Sequence, residues 1–256
     1  MSTSRPQILI KQNKPLPINT PSGVANATII PKSRKKRLLE TIWDRLERVP
    51  ADTLEKLFYI SCNPSSLDSR QKKKIKDYSK SAHKKLGLGH SWGPKELEKL
   101  GDASSLFSLI LANSLSNDLA GLSIISEPEI DIGGQIEFDY AIGVHNGPHF
   151  NLFLLAELKR FSSDNNLYED VKKAFNKFTE LHNAGVYSSF LLHLHLSEEL
   201  EKKAKTIRII KAAENLWERL SNKNNSKLYI VITKSPYNTF VKDLRELTTI
   251  IDKSKF

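Results

Sequence analysis

The sequence predicts an α/β sandwich, a mixed β-sheet held between helices, with a small, basic, helical region on its N-terminal side. Three observations lead there. Three strand patterns follow one another at 122–131, 135–144 and 150–159. Helix and strand patterns alternate after them, and an amphipathic helical pattern precedes them. Consecutive strands followed by alternating helix and strand imply a sheet of mixed direction with helices on its faces.

The elements read in order as follows. Residues 1–33 form an irregular arm, because prolines 6, 15, 17, 21 and 31 interrupt regular structure, with one short strand at Ile8-Leu9-Ile10. Residues 34–48 place apolar groups at 38, 39, 42, 43 and 46, the spacing of one helical face, with Ser33 as N-cap. A short helix is predicted over 52–61 and a lysine-rich one over 67–86, so 34–92 reads as a basic helical region. Gly87, Gly89 and Gly93-Pro94 punctuate the chain, and the α/β core is assigned to 93–256.

Within the core, helices are predicted at 94–100 and 103–119. The first two strands are separated by a tight turn at Gly133-Gly134, the next two by His145-Asn146-Gly147-Pro148. A helix over 167–184, a strand over 186–196, a helix over 198–220, a buried-strand run at 227–233 and a helix from about 238 to 251 complete the order.

Composition narrows the function classes. The 256 residues are 39% hydrophobic and 27% charged, ordinary for a globular protein, and no apolar run approaches a membrane span. With a single cysteine, Cys62, no internal disulfide is possible, and with no secretory signal pattern the expected setting is cytoplasmic. Cys62 lacks a marked histidine partner and reads as a small structural residue. No phosphate-binding loop, dinucleotide fingerprint or zinc-spaced Cys/His set is present, so no nucleotide cofactor is expected.

The formal charge is +10, and its placement is one-sided. Residues 1–85 carry 19 Lys/Arg against 7 Asp/Glu, whereas 86–256 carry 20 against 22. A basic segment joined to a neutral domain suits a polyanion, and nucleic acid rewards such clustering through counterion release. Arg34-Lys35-Lys36-Arg37 and Lys72-Lys73-Lys74 are the candidate phosphate contacts.

The chemistry-bearing residues are Glu157-Leu158-Lys159, at the end of the apolar run from Phe150 to Ala156, and Asp139 on the strand before. Alternation puts Glu157 and Lys159 on one face. Two other acid-x-lysine triplets, Asp170-Val171-Lys172 and Glu201-Lys202-Lys203, fall in helical stretches, where such residues do not converge. Two carboxylates suit one or two Mg²⁺ ions, and a lysine beside them orients or deprotonates water and offsets charge on phosphorus. Glu137 shares the face of Asp139, and Arg160 is placed to grip a phosphate. His193-Leu194-His195 offers two alternate imidazoles without an evident third metal ligand, and His145 and His149 flank the turn upstream of Glu157.

The set Asp139…Glu157-Leu158-Lys159, on successive strands after a helix and before a helix and another strand, resembles the PD-(D/E)xK nuclease superfamily, to which the type II restriction endonucleases belong. The resemblance covers roughly residues 103–235. It implies a restriction-endonuclease-like fold in which Asp139 and Glu157 ligate Mg²⁺ and Lys159 assists the attacking water. It also implies double-stranded DNA as substrate, and a symmetric cut favours a homodimer. Two positions depart from the pattern. Phe138 stands where proline is common, and residues 103–117 lack the helix-borne acid of many members, with only Glu98, Asp102 and Asp118 near. A repair, recombination or transposition nuclease on the same core, and a non-catalytic nucleic-acid-binding protein, remain as alternatives.

Overall fold

In the computed structural model the described residues are 7–9, 14–20, 22–31, 121–161, 167–196, 198–221 and 226–234. They form one ten-stranded mixed sheet and three helices. The strands are β1 (Gln7–Leu9), β2 (Leu16–Thr20), β3 (Gly23–Pro31), β4 (Ser123–Ser126), β5 (Pro128–Asp131), β6 (Gln135–Glu137), β7 (Tyr140–Asn146), β8 (His149–Phe161), β9 (Ser189–Leu196) and β10 (Leu228–Lys234). The helices are α1 (Leu167–Asn183), α2 (Glu198–Glu201) and α3 (Ala204–Ser221). The expected basic helical region, the helices before residue 121 and the one after 237 lie outside the described residues.

β8 is the spine of the sheet. It pairs antiparallel with β7 along one edge; on the other, its beginning pairs parallel with β2 and its C-terminal half with β9. β10 adds parallel to β9, giving the alternating strand-helix-strand half of the predicted order. Leu155, Phe175, Phe178, Phe190 and Trp217 belong to one buried cluster, in which α1 and α3 cover this face of the sheet. Burying an aliphatic or aromatic side chain is worth about 1.5–3 kcal/mol, so this cluster dominates the folding energy.

The N-terminal segment corrects an expectation. Residues 16–20 and 23–31 are not an irregular arm but an antiparallel hairpin that bridges β8 to β5. Leu16 and Ile18, then Ala25, Ala27 and Ile29, are buried at alternate positions, a strand signature masked by the prolines. Pro17 lies where the register shifts before Asn19, and Pro31 is the last residue of β3, positions at which a missing N–H costs little.

Two irregularities in the central strands place the site. The first is at Gly143. The β7–β8 register shifts between Ile142 and Gly143, leaving Phe153 extra. A side chain at 143 would collide with the Asn151 carbonyl and with the Phe150 ring, whose atoms lie 2.7 and 2.9 Å from an ideal Cβ. Only glycine admits this approach, and the added residue reverses the alternation. Phe150 and Leu152 before the bulge therefore join Leu155 after it in the same core cluster. Glu157 and Lys159 follow Leu155 at alternate positions on the helix-covered face.

The second irregularity is a bend in the hairpin 123–146. Its ladder keeps one register from Ser123 opposite Gly143 to Asp131 opposite Gln135, yet it breaks at Glu127-Pro128 opposite Phe138-Asp139. Pro128 has no N–H, and Glu127 has a left-handed backbone with φ of 47°. The hydrogen bonds Glu127 N to Asp139 O (2.9 Å) and Phe138 N to Pro128 O (2.9 Å) carry the hairpin through the bend. Beyond it, β5 pairs with β3 and the hairpin leaves β8.

α1 ends in a Schellman motif. Gly185, with φ of 83°, donates to His182 O, and Val186 N donates to Leu181 O. The motif seats His182 edge-on to Tyr187 and Trp217, with Nδ1 buried and without a hydrogen-bond partner among the described residues. Burial holds the imidazole below its usual value. The unfolded chain therefore takes up this proton more readily, so the stabilisation is complete above about pH 6.5 and drains as pH falls through the folded value. His182→Phe keeps the ring packing and removes the titration. Its melting temperature is expected to fall less than that of the wild type between pH 7.5 and 5, and an equal fall rejects the assignment.

Candidate active site

Asp139, Glu157 and Lys159 meet around one cavity of about 110 Å³, lined also by Glu127, Glu137, Phe138 and Lys177. The cavity opens where the hairpin bends away from β8, and the backbone explains why. Asp139 N still donates to Ala156 O (3.0 Å), the last rung on that side. The next N–H of β8, that of Leu158, finds no backbone acceptor on the departing strand. The Asp139 side chain supplies one, its Oδ2 accepting from Leu158 N at 2.6 Å. One interaction thus completes the ladder and fixes the carboxylate beside Glu157.

Glu157 is 1% exposed, and each of its oxygens is taken by a different lysine. Oε2 accepts from Lys159 Nζ and Oε1 from Lys177 Nζ, each at 2.5 Å. Burial first, then the charge of Asp139, push the Glu157 carboxyl above its usual value, against the two ammonium groups. Burial pulls Lys159 down, but Glu157 and Asp139 outweigh it and hold the ammonium above the usual lysine value. Next to the site, Tyr140 is completely buried and pushed well up by that burial and by Asp139.

Lys177 is the residue that sequence reasoning missed. It comes from α1, beside the buried stripe of Ala174, Phe178 and Leu181. Its ammonium donates also to the carbonyl of Glu137 (2.6 Å) and lies 5.4 Å from the centroid of the Phe138 ring. The signal was a lysine on the border of the apolar face of the helix that follows the Glu157 strand. Such a position directs a long side chain back across the sheet.

The other candidates sort by place. Glu137 and Asp139 both line the cavity, as their shared face predicts. Arg160 lies on β8 after the site, with its side chain outside the described residues, as are Arg34, Lys35, Lys36, Arg37, Lys72, Lys73 and Lys74 and Cys62. His145 and His149 flank the two-residue Gly147-Pro148 turn at the opposite end of β8, about 26 Å from Glu157 along a strand rising ~3.3 Å per residue. Closeness in sequence is therefore distance in space. His193 is fully buried, its Nδ1 3.5 Å from Tyr140 Oη, a structural contact with no metal-ligand set around it among the described residues.

Among the described residues no three His, Cys, Asp or Glu side chains form a cage for a divalent ion. Mg²⁺ does not require a cage, because it keeps several waters and binds through one or two carboxylates plus substrate phosphate oxygens. Asp139 and Glu157 are hard oxygen donors on one cavity wall, with the acidic residues Glu127 and Glu137 lining the same cavity. The residues fit Mg²⁺.

No family model matches the chain, and no curated protein sequence does. Among solved structures it is similar to protein VC1899 from Vibrio cholerae, at 13% identity with a TM-score of 0.44, over 90% of this chain and 60% of that one. The chain thus spans about 60% of the length of the Vibrio protein. It is also similar to the restriction endonuclease BsaWI in a pre-specific complex with DNA, at 14% identity with a TM-score of 0.29, over 81% of this chain and 93% of that one. Likenesses at this level do not fix a family.

Proposed function

We propose that the chain is a Mg²⁺-dependent DNA endonuclease of restriction type. The observation that carries this reading is the convergence of Asp139, Glu157 and Lys159 on one cavity at the point where the sheet splits. The ion, when bound, supplies Lewis acidity and a more acidic water. Asp139 and Glu157 contribute the negative charge that holds it. The Leu158 N–H keeps the Asp139 carboxylate from rotating, so its orientation is set before substrate arrives.

Lys159 acts as an ammonium. Before any metal arrives, Glu157 and Asp139 hold it above its usual value, which favours the charged form. Its role is to orient the attacking water and offset charge developing on phosphorus.

The basic stretches Arg34–Arg37 and Lys72–Lys74, together with Arg160, are assigned to the phosphates of double-stranded DNA on their charge. A homodimer that cuts both strands and a cytoplasmic location belong to the same proposal. Among the described residues no helix is long and apolar enough to cross a membrane.

The test is digestion of a sequenced supercoiled plasmid with Mg²⁺ and mapping of the ends. Discrete fragments that vanish when the metal is chelated are expected. Cleavage that follows branches or damage moves the reading to a repair or recombination nuclease, uniform degradation removes the restriction assignment, and no cleavage with any divalent ion removes the nuclease.

A further inference from the structure

Glu157 is buried, and both of its oxygens are engaged by ammonium groups. With both oxygens taken, Glu157 frees one for a divalent ion when one ammonium withdraws, and the withdrawal also lessens the repulsion between that ammonium and the dication. The two lysines differ in what holds them. Lys159 springs from the same strand two residues on, so its backbone keeps it beside Glu157. Lys177 reaches over from α1 and has a second seat, the Glu137 carbonyl and the face of Phe138. Losing Glu157 leaves Lys177 with a charge-dipole hydrogen bond and a cation–π contact.

We propose that Lys177 is a tethered counter-ion. It holds the cation's place on Glu157 Oε1 until a divalent ion binds, then gives up that contact and keeps the Glu137 carbonyl and the Phe138 ring it already touches. The proposal rests on the metal-site reading above and deepens it by naming the residue that exchanges with the metal. Lys177 so defined is a positioning residue. It keeps a buried carboxylate paired and oriented while no metal is present, and opposes metal binding by the strength of its own contact. Glu127 and Glu137, also on the cavity wall, face the same exchange.

The test measures Ca²⁺ binding to the full chain without DNA at pH 8, by calorimetry, in the wild type, Lys177→Met and Lys177→Arg. Hydrogen bonds to charged groups carry a factor of roughly ten or more, so Lys177→Met is expected to bind Ca²⁺ about ten-fold more tightly, and Lys177→Arg like the wild type. Melting supplies a second readout. Lys177→Met starts lower without metal and gains more from Ca²⁺ than the wild type, since ligand stabilisation grows with the logarithm of the ratio of ligand concentration to Kd.

A purely structural lysine lowers the melting temperature and leaves the Ca²⁺-induced gain unchanged, which overturns the proposal. Equal or weaker Ca²⁺ affinity in Lys177→Met overturns it too, while wild-type binding leaves the metal-site reading standing. Absence of binding in all three proteins removes both.

Discussion

Lys159→Met is expected to lower the single-turnover rate of Mg²⁺-dependent plasmid cleavage roughly 10²–10³-fold, the loss typical when one preorganised electrostatic group is removed from a reacting centre. The fold should survive. Methionine fills nearly the same volume as the lysine stem, and Glu157 keeps Lys177 on its other oxygen, so no buried charge is stranded. The effect should therefore fall on the rate at saturating Mg²⁺, with melting temperature close to that of the wild type. This separates chemistry from folding, because removing both partners of a buried carboxylate leaves an uncompensated charge whereas removing one of two does not. Because the role assigned to Lys159 is that of a positive charge, Lys159→Arg should recover part of the rate. A Lys159→Met rate within ten-fold of the wild type sinks the assignment of Lys159 to the reacting centre.

Much of the core was legible because its signals are local. The Gly133-Gly134 turn, the apolar strand 150–159 and the helix 167–184 each declare themselves within a short window, and each appears within a few residues of its expected bounds. The Asp139–Glu157–Lys159 grouping was legible for the same reason, since pairing of neighbouring strands brings it together. What stayed hidden depends on partners distant in sequence. β2 and β3 are strands because β8 and β5 lie beside them, across more than 95 residues of chain, and their prolines argued otherwise locally. The Gly143 bulge sets which face Glu157 shares with Phe150 and Leu152, and only the partner strand exposes it. Lys177 is found by helix packing, not by any motif.

Asp139 offers the sharper separation of charge from scaffold, because one carboxylate does two jobs. Its oxygen caps the Leu158 N–H at the split of the sheet, and its charge faces Glu157 and Lys159. Asp139→Asn keeps an oxygen for the N–H and discards the charge. It is expected to fold like the wild type, to bind divalent ions more weakly and to lose cleavage on the order of 10³-fold, since one of two carboxylates holding the ion is gone. Asp139→Ala discards both. The Leu158 N–H is then left without its acceptor, a loss worth about 1–3 kcal/mol, and the alanine variant should be less stable than the asparagine variant by that amount, and melt lower, while being equally inactive. Paired melting curves and plasmid-cleavage rates read the two roles separately. Equal stability of the two variants removes the capping role, and cleavage by Asp139→Asn within ten-fold of the wild type removes Asp139 from the metal site. With the cap intact and the charge gone, what remains is a correctly split sheet holding Glu157 between two ammonium groups, a site with its geometry kept and too little negative charge to hold the ion.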